Sequence, residues 1–205
     1  MLYKLVRFVF TFYLKTLYRW RIYGIENIPQ QGPFIICSNH INWIDPVVVT
    51  CSFPRTIRVH FMAKAELFRN PFIAYFLRKG GAYPVNRQIA DHSAIRRSFQ
   101  LLKDSQVVGM FPEGTRSKLG QLQKALHGAA LIASRDCVPI VAVGIEGSYR
   151  AGTPLIVRIG RPFRLKRLEY ECREQKKEIL EQMSIIIMDN IRSLLTTGDN
   201  VVRTD

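Results

Sequence analysis

Cysteine is scarce and scattered in this chain. Cys37, Cys51, Cys137 and Cys172 form no CxxC pair and no cluster with histidine, so neither a zinc site nor a disulfide framework is indicated. A reducing, cytosolic setting fits, with each thiol a small hydrophobe or a free surface group. Long apolar runs are missing too. Within Met1 to Trp20, Lys4, Arg7, Lys15 and Arg19 interrupt the apolar residues, and the longest charge-free run, Phe8 to Leu14, is seven residues. A spanning helix needs roughly 18 to 20. The same charges, with no small-residue cleavage site after them, argue against a signal peptide. Acidic residues are few, 16 Asp+Glu against 30 Lys+Arg, a formal net charge of +14. There is no internal repeat, low-complexity stretch or interdomain linker, and 205 residues suffice for one domain with a single sizeable core.

The basic excess favours anionic partners: nucleic acid, an anionic membrane surface or phosphorylated substrates. Apolar residues at 47% and aromatic residues at 11% tilt that choice toward a lipid surface and away from nucleic acid. At about 100° per residue, Lys4, Arg7, Lys15 and Arg19 fall within an arc of roughly 120°, opposite Leu2, Leu5, Val6, Val9, Phe12, Tyr13, Leu17 and Trp20. Residues 1–24 therefore read as a basic amphipathic segment lying in a headgroup plane, in preference to a first helix packed on the core. Residues 25–205 read as the one folded domain that follows it.

Phe34 to Cys37 is a short apolar run bounded by turn signals, as a buried strand is. Asp45-Pro46 resembles an N-cap with proline at the first helical position. Further strands are expected at Ile57 to Met62, Ala82 to Val85, Val107 to Phe111, Val138 to Ile145 and Leu155 to Ile159. Helices are expected from Pro71 to Lys79, Asp91 to Lys103, Leu122 to Arg135 and Glu169 to Leu195, with Thr196 to Asp205 a tail. Alternating strands and helices imply a single α/β domain with a mixed, largely parallel sheet flanked by helices. Phe68, Phe72, Tyr75 and Phe76 either pack in the core, line an acyl groove or touch a membrane.

Three polar groups each follow an expected strand: Asn39-His40 with Asp45, Asn86-Arg87, and Phe111 to Ser117. In an open α/β sheet ligands bind beyond the carboxyl ends of strands, so these groups can converge on one pocket. A histidine held by a carboxylate can take a proton from an alcohol near neutral pH. No serine or cysteine lies between Asn39 and Asp45, so the hydroxyl to be activated is expected on a substrate. His60, His92 and His127 lack such surroundings.

The segments NHINWID (Asn39 to Asp45), YPVNR (ending at Arg87), FPEGTRS (Phe111 to Ser117) and VPIVAVG (Val138 to Gly144) resemble the four ordered blocks of the glycerolipid acyltransferases. The likeness is greatest to the 1-acyl-sn-glycerol-3-phosphate group and covers roughly residues 25 to 165. The resemblance implies transfer of a fatty acyl group from a thioester, on CoA or acyl carrier protein, to the 2-hydroxyl of lysophosphatidic acid. It implies no metal or bound cofactor and no covalent acyl-enzyme. His40 would be the general base, with Asp45 fixing its tautomer. Arg87 and Arg116 would grip the phosphate, and Glu113 would orient one of them by ion pairing. Gly114 would allow a tight turn close to the ligand, with Thr115 and Asn39 also at the substrate. Lys64 or backbone N–H groups near the Val138 block would serve the oxyanion.

The chain departs from the family where a basic residue often precedes the glycine opening the next helix. Here Leu126-His127-Gly128 stands in that place, with Lys124 two residues further back. Expected partners are a phospholipid surface, lysophosphatidic acid and acyl-CoA or acyl carrier protein, with no nucleic acid. The expected setting is peripheral, on the cytoplasmic face of a bacterial cell membrane. The same chemistry on glycerol 3-phosphate or another lysophospholipid is the near alternative, and a non-catalytic membrane-binding protein of this fold is the more distant one.

Overall fold

The computed structural model describes residues 2–86, 91–117 and 121–196. Helix α1 (Leu2–Leu17) runs into strand β1 (Arg19–Tyr23). There follow β2 (Ile35–Ser38), α2 (Asp45–Ser52), β3 (Val59–Lys64), α3 (Pro71–Lys79), β4 (Tyr83–Val85), α4 (His92–Lys103) and β5 (Val107–Met110). The chain continues with α5 (Gly128–Arg135), β6 (Ile140–Gly147), β7 (Pro154–Ile159) and α6 (Arg173–Thr196). Local signals set several starts. Asn70 accepts from the Phe72 and Ile73 backbone N–H groups with Pro71 at the first turn of α3, and Asp91 caps α4 through Ser93 and Ala94.

The seven strands lie in the order β1-β7-β6-β2-β5-β3-β4, and every neighbouring pair is parallel except β6 with β7. One core lies between the sheet and α4, α5 and α6, with Ile132, Ile187 and Ile191 fully buried; the other lies between the sheet and α1 and α2, with Leu14, Val48 and Val49 fully buried. The helix after β2 thus lies on one face and the helix after β5 on the other, which opens a crevice at the carboxyl ends of these neighbouring strands.

Three differences from the sequence expectations have physical causes. Residues 19–23 are not the end of an anchoring helix but the edge strand β1, paired with β7 from Arg19 to Tyr23. Arg7 does not share a solvent-facing basic stripe with Lys4 and Lys15. It is buried, and its guanidinium donates to the carbonyls of Pro54 and Ile57, each at 3.1 Å, and of Phe53. The helix expected from Leu122 begins only at Gly128, because the Gln123 and Leu126 N–H groups are held by the Glu113 carboxylate and the Pro112 carbonyl. The expected tail lies, beyond Thr196, outside the described residues.

With Arg7 turned inward, the opposite face of α1 is open. Leu5, Phe8, Val9 and Phe12 are more than half exposed, and α3 exposes Phe72, Ile73, Tyr75 and Phe76. No helix among the described residues is long and apolar enough to cross a membrane.

Candidate active site

His40 follows β2 by two residues and Asp45 opens α2, where the helix dipole favours negative charge. The Asp45 carboxylate does not cap α2 but turns back over the preceding turn. Its Oδ2 accepts from His40 Nδ1 at 2.8 Å and from the backbone N–H groups of Ile41 and Asn42 at 2.6 and 2.7 Å. Its Oδ1 accepts from the Tyr149 hydroxyl. Asp45 is fully buried, and these four bonds satisfy its carboxylate from within the protein. The His40 ring stacks on Phe111 at 4.1 Å and 19°. With Nδ1 on the carboxylate, Nε2 is left to take a proton, and no protein hydroxyl or thiol among the described residues is hydrogen-bonded to it. Cys37 offers no nucleophile, since burial pushes its thiol up to about 12.

The loop after β5 clamps His40 from both sides of its peptide. Glu113 Oε1 accepts the His40 N–H at 3.0 Å, and the Ser117 N–H donates to the His40 carbonyl at 2.7 Å. Glu113 Oε2 accepts the Gln123 N–H at 2.9 Å. Glu113 is therefore no ion-pair partner of Arg116; it is buried and spends both oxygens on backbone donors. Burial raises its carboxyl above the usual range, against the pull of those donors. Gly114 has φ +69°, a left-handed backbone conformation in which any other side chain would be strained, and a Cβ there would also displace the Leu126 side chain, so the turn favours glycine. Thr115 and Arg116 are exposed. The Arg116 guanidinium makes no ion pair among the described residues, while its carbonyl accepts from Gln123 Nε2.

Other expected site residues fall differently. Arg87 lies outside the described residues. The Asn39 side-chain amide is engaged with the sheet: it donates to the Ile145 carbonyl at 2.9 Å and accepts the Ile145 N–H at 2.7 Å, tying the end of β2 to β6. Lys64 ends β3, half exposed, with its ammonium 3.2 Å from Glu66. The Val138 block starts at the far rim of the sheet and contributes β6, whose amides are used in strand pairing. Lys124, two residues behind Leu126-His127, pairs with Glu181 on α6 at 2.5 Å.

Tyr149 was not marked by any motif. Its signal was positional, since it stands two residues beyond β6 on the rim where His40 and Glu113 also emerge. Burial first, then the Asp45 charge, push its phenol above the ordinary value, so it stays a donor.

Two apolar cavities approach this site from opposite faces. One, of about 360 Å³, lies between α1, α2 and α3 and is lined by Phe10, Val47, Thr50, Phe61, Phe72 and Phe76 among others. The other, of about 390 Å³, lies against α4 and α5 and is lined by Val85, Ile95, Phe111, Gly114 and His127 among others. Phe61 of the first stacks on Phe111 of the second at 5.4 Å, and Phe111 stacks on His40. Phe68 and Tyr75, grouped with Phe72 and Phe76 in the sequence, do not line the first cavity.

The Acyltransferase family model matches residues 19–146. The chain is 35% identical over 127 residues to the 1-acyl-sn-glycerol-3-phosphate acyltransferase of Bacillus subtilis, a match covering 62% of each chain. It is 34% identical over 142 residues to the protein of that name from Streptococcus pneumoniae, covering 65% of this chain and 52% of that one. The chain thus spans about half to three-fifths of the length of these curated relatives. Among solved structures, the 1-acyl-sn-glycerophosphate acyltransferase of Thermotoga maritima superposes with a TM-score of 0.66 at 21% identity, covering 94% of this chain and 78% of that one, which shows a shared fold. The family match extends over more than half of the chain and takes in both the His40–Asp45 pair and its Phe111 to Ser117 clamp: the chain belongs to the acyltransferase family.

Proposed function

We propose that this protein transfers a fatty acyl group from an acyl thioester, on CoA or acyl carrier protein, to the 2-hydroxyl of lysophosphatidic acid, giving phosphatidic acid. The observation that carries this reading is the His40–Asp45 pair, buried and bonded at Nδ1, with no protein nucleophile among the described residues bonded at Nε2. His40 Nε2 takes the proton of the acceptor's hydroxyl as its oxygen attacks the thioester carbonyl carbon. The carbon–sulfur bond of the tetrahedral intermediate then breaks, and the imidazolium returns its proton to the leaving thiolate. Asp45 holds the tautomer and stabilises the imidazolium in between. Arg116, exposed at the rim, and Arg87 are the proposed phosphate ligands, since guanidinium forks match phosphate oxygens. Relatives named for 1-acyl-sn-glycerol-3-phosphate support the acceptor class.

The two cavities favour a lysophospholipid over glycerol 3-phosphate as acceptor. A reaction joining an acyl donor to an already acylated acceptor has two chains to house. Two apolar spaces, one on each side of the Phe61–Phe111 stack that adjoins His40, support that reading. The first cavity lies between the two helices with exposed apolar faces, α1 and α3. This supports a protein lying on an anionic leaflet, with Leu5, Phe8, Val9 and Phe12 in the acyl boundary and Lys4 and Lys15 at the headgroups. The cytoplasmic face of a bacterial membrane is the proposed setting.

The test is product analysis in vesicles with each donor, acyl-CoA or acyl carrier protein, against lysophosphatidic acid, glycerol 3-phosphate and other lysophospholipids. The expected result is an acylated product with lysophosphatidic acid, phosphatidic acid, and none with glycerol 3-phosphate or the other lysophospholipids. No acceptor-dependent product with any pair refutes an enzymatic role.

A further inference from the structure

Asp45 divides its bonds unevenly. Oδ2 receives His40 Nδ1 and two backbone N–H groups, whereas Oδ1 receives only the Tyr149 hydroxyl among the described residues. Remove that hydroxyl and Oδ1 becomes a buried acceptor with no donor, free to lower its energy only by rotating the carboxylate. Such a rotation drags on the bond to His40 Nδ1. The phenol's own placement comes from outside the motif: Tyr149 follows β6, and its ring meets the Tyr18 ring edge-on at 5.9 Å. Tyr18, buried just past α1, in turn meets the Tyr13 ring of α1 edge-on at 6.0 Å.

We propose that Tyr149 is a positioning residue of this active site, holding the Asp45 carboxylate in the rotamer that orients His40. The proposal deepens the reading of His40 as general base and rests on it. Tyr149 touches neither substrate nor the reacting atoms; it acts on Asp45 alone. A hydrogen bond into Oδ1 withdraws charge from the carboxylate, so the phenol also moderates how strongly Asp45 holds an imidazolium. Tyr18 extends the contact to α1, so the dyad's last support is braced against the helix proposed to lie on the membrane.

Tyr149→Phe keeps the ring and its edge contact with Tyr18 while deleting the donor. The expected result is a kcat lowered by about tenfold with KM for both substrates unchanged, and an acid limb of the kcat/KM profile displaced from its position in the unmodified chain. In the Asp45→Asn background the same substitution is expected to change the rate no further, because residues acting as a unit are not additive. Independently of turnover, the proton NMR signal of the His40 Nδ1–H is expected to move in Tyr149→Phe. That signal decides the positioning claim even if His40→Ala were to show that His40 is not the base. Site-specific 3-fluorotyrosine at position 149, a stronger donor that preserves the fold, is expected to move the acid limb to lower pH. A Tyr149→Phe protein with kcat, acid limb and Nδ1–H signal as in the unmodified chain, altered only in melting temperature, overturns the proposal. So does full additivity with Asp45→Asn.

Discussion

Glu113 Oε1 lies 3.0 Å from the backbone nitrogen of His40, 73 residues away in sequence. The carboxylate that looks like a charge partner for an arginine is thereby part of the wall that holds the histidine. Replacing Glu113 by Gln turns one of its two buried acceptor positions into a donor facing another N–H, of His40 or Gln123. A buried group left without its partner costs about 1–3 kcal/mol. Chemical denaturation is expected to show a loss of that size, with turnover falling alongside it. Unchanged stability and rate would show that the clamp is not needed.

Arg116 stands in the same loop but is exposed and makes no ion pair among the described residues. Arg116→Ala should leave stability within about 0.5 kcal/mol, as surface changes do, while raising the acceptor KM about tenfold or more through the lost phosphate contact. Steady-state kinetics over a range of lysophosphatidic acid checks it. A rate defect with KM unaltered would place the phosphate elsewhere.

Phe8 and Phe12 are 55% and 65% exposed on the open face of α1. Their joint replacement by Ser should not unfold the domain, because Arg7, Leu14 and Tyr18 still dock the helix. Each aromatic side chain is worth about 1.5–3 kcal/mol when moved from water to an apolar phase, so affinity for anionic vesicles should drop well beyond tenfold. Co-sedimentation measures this. Deleting residues 1–20 would be a poorer test, since it removes Leu14 from the core and part of β1.

The Asp91 carboxyl is lowered to about 2, by the Asn86 backbone N–H first and then by the Ser93 and Ala94 donors at the start of α4. A carboxyl lowered in the folded state contributes stability above its unfolded value, near 3.9, and loses it as pH falls through the folded one. Asp91→Ala is therefore expected to cost about 1 kcal/mol at neutral pH, as N-cap loss does. The gap between the two proteins should close as pH drops from about 4 toward about 2. Thermal melts across that range show it, and a gap independent of pH would contradict it.

Much of this arrangement was legible because short-range signals carried it. The apolar run before Asn39, the Asp45-Pro46 pair and the glycine of the Phe111 to Ser117 loop each mark a strand end, a helix start or a turn, and the structure has β2, α2 and the φ +69° turn there. What escaped depended on partners distant in sequence. A helical wheel tells which residues share a face but not which face meets the domain; Arg7 went inward because three carbonyls at 53, 54 and 57 await a donor. β1 was hidden because Arg19 and Arg21 alternate outward on an edge strand and read as more of a basic helix. Asn39 sits in the motif beside His40, yet its amide serves Ile145 across the sheet, 106 residues on. Tyr149 reaches Asp45 only because β6 ends on the same rim as β2.

The central claim is that His40 removes the proton of the acceptor's hydroxyl, and His40→Ala tests it most directly. Asp45 would keep the Ile41, Asn42 and Tyr149 donors, so the variant is expected to fold. Its rate of phosphatidic acid formation from acyl thioester and lysophosphatidic acid in vesicles is expected to fall by about 10²–10⁴-fold, the size of a general-base contribution. A folded His40→Ala protein turning over within tenfold of the unmodified chain would contradict the account.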